Sequence, residues 1–159
     1  MSLAGWTVEK ALQTGITMEE GAYQLYTNAQ KLVKDPGSKQ MLKELASDEL
    51  THKEYFVKAL RDPIKVMNKI NQDDVKKTVK DLGVTDPLKD ESLNSDATYQ
   101  EVLLFAIKSE KKANEFYKAL SLVFIGNPIA TIWDSFALQE AGHKLRLERE
   151  YDDVIFRDN

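Results

Sequence analysis

The chain has 159 residues, 42% hydrophobic and 30% charged, the composition of an ordinary globular domain with room for a real core. It has no cysteine, which excludes disulfides, zinc fingers, iron–sulfur centres and thiol catalysis. A net charge of -4 and a pI near 5.3 argue against nucleic acid or an anionic membrane as the main partner.

The N-terminus has no basic region followed by an apolar run, so no signal peptide is expected. Thr7 is a candidate N-cap, and helical periodicity predicts a helix over 8–34. Leu12, Ile16, Glu19, Tyr23, Tyr26 and Val33 fall on one face of it, spaced by threes and fours. Asp35-Pro36-Gly37 breaks the chain, with Asp35 as cap and Pro36 as the first residue of the next helix. That helix runs to Arg61, and its seam reads Leu42, Leu45, Glu49, His52, Phe56 and Ala59. Residues 62–97 are polar and rich in turn signals, among them Gly83, Asp86-Pro87 and Asn94-Ser95-Asp96, with a short helix expected over 73–82. This stretch reads as a crossover within one domain.

Thr98-x-x-Glu101 is a capping box that opens a third helix, expected to end near Ile125. The apolar stretch over 120–125 lies here and, like every other in the chain, is far shorter than a membrane span, so the expected location is the cytoplasm. Gly126-Asn127-Pro128 breaks the helix. A fourth follows from Pro128 to about Ile155, with Trp133, Phe136, Glu140, His143 and Leu147 on its seam and a frayed tail over 156–159.

Residues 7–60 laid over 98–151 align without a gap. Ile16 falls on Ile107, Glu19 on Glu110, Ala22 on Ala113, Tyr26 on Tyr117, Glu49 on Glu140 and His52 on His143, all at an offset of 91. The chain therefore reads as a duplicated helical hairpin. Glu19 lies 16 residues before Asp35 and Glu49 lies 14 after it. At about 1.5 Å per residue the two stand nearly level across the hairpin, roughly 24 and 21 Å from its turn. Glu110 and Glu140 repeat this spacing about Gly126.

Glu49-x-x-His52 and Glu140-x-x-His143 contain the only two histidines. One such pair is a weak signal, because solvated helix faces supply many. Two at one offset, each level with a glutamate on an apolar seam, point to a shared site. Four carboxylates inside a bundle would cost several kcal/mol or be forced to protonate, unless cations compensate them. A glutamate from each of two helices plus Glu-x-x-His from each of the other two is the inventory of a carboxylate-bridged dinuclear metal site. Mixed oxygen and nitrogen donors suit iron or manganese, with zinc as another substitute.

Residues 16–26, 45–52, 105–117 and 140–143 resemble the rubrerythrin-like branch of the ferritin-like superfamily, and the resemblance spans nearly the whole chain. It implies an all-α, ferritin-like four-helix bundle built from two hairpins and one long crossover, with the second and third helices parallel. It implies that Glu19, Glu49, His52, Glu110, Glu140 and His143 hold two iron ions, with Glu49 and Glu140 bridging them. The implied activity is two-electron reduction of hydrogen peroxide or dioxygen in oxidative-stress defence. An external electron donor and a homodimer or larger homo-oligomer go with it. The alternative is non-enzymatic iron storage, and an interaction-only bundle would bind no metal.

Two features depart from the family. Full-length rubrerythrins carry a four-cysteine rubredoxin-like domain, for which this sequence has no cysteine. Some members also place an extra carboxylate three residues after the third-helix glutamate, where this chain has Ala113.

Several neighbours have two readings. Glu19 is preferred over Glu20 as the ligand, because the repeat mate of Glu20 is Lys111. Tyr26 and Tyr117 either hydrogen-bond the ligand carboxylates or are ordinary core tyrosines. Asp48, four residues before His52, has Gln139 as repeat mate and is expected to be a solvated surface residue. Gly142 is expected to be a tolerated helix glycine rather than a packing device.

Overall fold

A computed structural model of the chain describes residues 8–61, 93–126 and 128–158. Four long helices account for most of them: α1 (Val8–Ala29), α2 (Pro36–Arg61), α3 (Tyr99–Val123) and α4 (Pro128–Asp158). No strand occurs among the described residues. Thr7, the turn signals of 71–92 and the expected helix over 73–82 lie outside them.

Local chemistry sets the helix ends. Asp35 Oδ2 accepts from the Ser38 backbone N–H at 2.8 Å and the Asp35 carbonyl from Lys39 N–H at 3.1 Å, so Asp35 caps α2 as its sequence position implies. The Thr98 side chain accepts from Glu101 N–H at 3.2 Å, and Glu101 accepts from Thr98 N–H at 3.0 Å, completing the capping box of α3. Past α3, Gly126 takes φ 88°, a left-handed conformation that costs glycine nothing.

Two ends differ from expectation. α1 tightens into a 3-10 turn over Gln30–Leu32, and Val33 is extended at φ -123°, ψ 148°, so the α-helix stops at Ala29 rather than near residue 34. α4 continues past Ile155 to Asp158 instead of fraying. Its last turn is tied down where Gln100 Nε2 donates to Asp158 at 2.9 Å and Arg157 lies 3.7 Å from Asp35 and 3.6 Å from Glu150.

The core divides into two lobes. One joins Leu12 and Phe56 to Phe116, Tyr117, Leu120, Trp133 and Phe136. The other joins Tyr26, Leu42 and Leu45 to Val102, Leu103 and Leu147. The first lobe thus gathers the start of α1, the end of α2, the end of α3 and the start of α4, so α2 and α3 run parallel. This is the four-helix bundle expected from a long crossover.

The repeat also explains why the lobes differ. Phe56, Trp133 and Phe136 have Leu147, Leu42 and Leu45 as their mates, so one lobe is richer in aromatic rings and the other in leucine. Gly15 answers to the larger Phe56: a Cβ there would lie 2.9 Å from two atoms of the Phe56 ring. On the aliphatic side the same pair is Ala106 and Leu147. Among the described residues no helix is long and apolar enough to cross a membrane.

Candidate metal centre

Between the lobes, where a bundle would ordinarily hold leucine, lie Glu19 on α1, Glu49 and His52 on α2, Glu110 on α3, and Glu140 and His143 on α4. All six are buried, the most exposed being His143 at 5%. Helical periodicity puts them on the inward seams, and matched distances from the two turns put them at one level.

The geometry repeats across a pseudo-two-fold. His52 Nδ1 lies 2.9 Å from Glu140, 3.5 Å from Glu19 and 3.7 Å from Glu49. His143 Nδ1 lies 2.7 Å from Glu49, 3.6 Å from Glu110 and 3.8 Å from Glu140. Ligand-type atoms of Glu19, Glu49, His52 and Glu140 fall within 4.8 Å of one another, and so do those of Glu49, Glu110, Glu140 and His143. Glu49 and Glu140 belong to both groups.

These atoms come into contact without meeting hydrogen-bond geometry. Despite the short separations, neither histidine Nδ1 has a hydrogen-bond partner, nor do single oxygens of Glu19, Glu110 and Glu140 or both oxygens of Glu49. Apart from Trp133 Nε1, these are all the buried, unpartnered side-chain polar atoms among the described residues. Two groups of nitrogens and oxygens gathered this closely, with hydrogen-bonding capacity left over, have the composition of a donor set for cations.

The surroundings hold the donors in place. The Tyr26 hydroxyl donates to Glu110 and the Tyr117 hydroxyl to Glu19, both buried and both crossing from one hairpin to the other. This settles the tyrosines as partners of the carboxylates. His52 Nε2 meets Gln139 Oε1 at 2.7 Å, and His143 Nε2 meets Asp48 Oδ2 at 3.0 Å. Asp48 is therefore not simply a solvated surface residue: it backs the histidine of the opposite hairpin. The sequence carried the signal, since Asp48 and Gln139 are repeat mates that both accept hydrogen bonds, but the pairing crosses hairpins where an i, i+4 reading looks within one. Glu20 points away and pairs with Lys53 Nζ at 2.8 Å, leaving Glu19 in the cluster. No atom approaches the Cβ position of Gly142, so it serves no close packing.

Electrostatics reflect the crowding. Burial and the neighbouring Glu140 carboxylate hold Glu49 well above the usual carboxylate range. Burial and Glu110 push Glu140 up to about 8. Burial opposes a charge on His52, yet contacts with Glu140, Glu19 and Glu49 outweigh it and raise the imidazole to about 12. His143 is raised in the same way by Glu110, Glu140 and Glu49. Glu110 goes the other way: despite burial it is lowered by its contacts with Glu140, His143 and Tyr26. Without cations the cluster therefore retains protons in their place.

A cavity of about 420 Å³ opens between α1 and α3, and Glu19, Glu49, Glu110 and Glu140 form part of its wall. Ala22, Leu25, Phe105 and Ala113 make the rest largely apolar. Ala113 lies on that wall, and its small side chain leaves the space open.

The rubrerythrin family model matches residues 10–86, which include Glu19, Glu49 and His52. No curated protein and no solved structure matches the chain. The second hairpin lies outside the matched segment; it repeats the first at the 91-residue offset and brings Glu110, Glu140 and His143 into the same cluster. Over residues 10–86 the chain is similar to the rubrerythrin family, and it folds as an all-α four-helix bundle with a buried Glu/His cluster able to hold metal.

Proposed function

We propose that the cluster binds two iron ions and that the protein reduces hydrogen peroxide, or dioxygen, by two electrons. The observation that carries this reading is the convergence of unpartnered carboxylate and imidazole atoms into two groups that share Glu49 and Glu140. In this reading Glu19 and His52, with Glu49 and Glu140, would hold one ion, and Glu110 and His143, with the same shared pair, would hold the other. A ferrous pair bound there supplies two electrons, the number that takes hydrogen peroxide and two protons to two waters.

The chain's own residues prepare that chemistry. Tyr26 and Tyr117 hold the outer carboxylates of opposite hairpins, so that neither swings away. The aromatic lobe closes one side of the cluster to water, with Phe136 stacked on His52 at 4.2 Å. The cavity beside Ala113 admits a small oxidant to the carboxylates. An external donor returns the electrons, and the cytoplasm and a homo-oligomeric assembly complete the proposal.

The test is anaerobic loading with ferrous ion, then addition of peroxide with a reductant present. Repeated consumption of peroxide is expected. One stoichiometric burst, with the iron retained and no turnover, would point to storage.

A further inference from the structure

The cluster obeys its pseudo-two-fold closely, but the residues behind it do not. The slot behind each imidazole is filled by repeat mates of different charge. His143 Nε2 faces the carboxylate of Asp48 at 3.0 Å, whereas His52 Nε2 faces the neutral amide of Gln139 at 2.7 Å. The amide is oriented: Gln139 Nε2 donates to Ser135 Oγ at 3.4 Å, which leaves Oε1 toward the imidazole. The repeat mate of Ser135 is Glu44, which instead accepts from Arg146 at 2.7 Å and from Gln40 at 3.0 Å. The ring faces differ as well, because His52 stacks on Phe136 while the mate of Phe136 is Leu45.

A carboxylate hydrogen-bonded to the far nitrogen makes an imidazole a stronger donor to a cation and adds negative charge nearby. An amide fixes the ring without either effect. We propose that the two cation positions are unequal: the one completed by His143 and backed by Asp48 fills first, and the one completed by His52 and backed by Gln139 fills second and exchanges more readily. The proposal rests on reading the cluster as a dinuclear centre. It makes Asp48 a positioning residue for the metal, acting through His143. Asp48 is about half-exposed, so water screens part of its charge. The expected difference in affinity is about tenfold, the low end of what such partners contribute.

The full-length metal-free chain would be titrated anaerobically with cobalt(II), following the paramagnetically shifted imidazole N–H resonances, one from each histidine. Asp48→Asn and Gln139→Glu assign them, since each moves the resonance of the histidine it contacts. At one equivalent the parent should show chiefly the resonance that Asp48→Asn moves. Asp48→Asn should bring the two toward equal intensity, and Gln139→Glu should strengthen the His52 signal. Equal signals at one equivalent in the parent, or a filling pattern unchanged by Asp48→Asn, would overturn the inequality while leaving the dinuclear reading intact. A parent that binds no cobalt would overturn both.

Discussion

Tyr26 and Tyr117 do the same work from opposite hairpins, each spending its hydroxyl on a glutamate across the bundle. Replacing either by phenylalanine keeps the ring in the core but leaves a buried carboxylate oxygen unpartnered. Tyr117→Phe should weaken metal binding about tenfold with little change of fold, measured by competition against a chelator. The raised pKa values give a second expectation at this scale. Glu140 at about 8 against its ordinary 4.5, and His52 at about 12 against 6.5, bind protons more tightly folded than unfolded. Their stabilising contribution is full below the unfolded values and is lost as pH rises toward the folded ones. The lowered Glu110 acts in the opposite sense, but below the ordinary carboxylate value and so outside this window. The metal-free protein should therefore melt at lower temperature as pH rises from about 6 to 9, while the stabilisation conferred by metal grows, because binding displaces those protons. Melting curves with chelator and with manganese test this; a flat or rising chelator curve contradicts it. The six clustered residues were legible from spacing because charge on an apolar seam demands an explanation. The partners of the histidines were not, since a contact between hairpins leaves no periodic trace within either.

Among the elements, α1 and α2 meet closely where Gly15 faces Phe56. Alanine at 15 would press on a ring that is 0% exposed and has no room to retreat. Gly15→Ala should cost about 1–3 kcal/mol from overpacking, partly offset by better helix propensity. With Phe56→Leu added, the pair copies Ala106 and Leu147 of the other lobe, so the double variant should be more stable than the sum of the singles implies. Gly142→Ala meets no atom and should gain about 0.5–1 kcal/mol. Chemical denaturation of the four variants measures all three effects. Helix starts at Pro36, Tyr99 and Pro128 could be read from cap and proline chemistry. The early end of α1 and the long α4 could not, because 3-10 tightening and the Arg157 and Asp158 contacts depend on neighbours far away in sequence.

At the scale of the whole molecule, duplication accounts for both the symmetry of the site and its departures. One lobe is richer in aromatic rings and the other in leucine, yet the charged layer between them keeps matching distances to within about 0.2 Å on the two sides. The bundle was legible from the 91-residue offset, whereas the cavity was not, since its size depends on how far α1 stands from α3. Ala113→Phe should fill that cavity, leaving iron content unchanged while slowing reaction of the ferrous protein with peroxide in stopped-flow absorbance. The central claim is that cations make this buried layer of carboxylates tolerable. Iron content after anaerobic loading and gel filtration tests it most directly, comparing the parent with Glu49→Ala. The parent should retain about two iron ions per chain and the variant should lose them, since Glu49 belongs to both groups. A parent that retains none, or a variant with the parent's count, would contradict it.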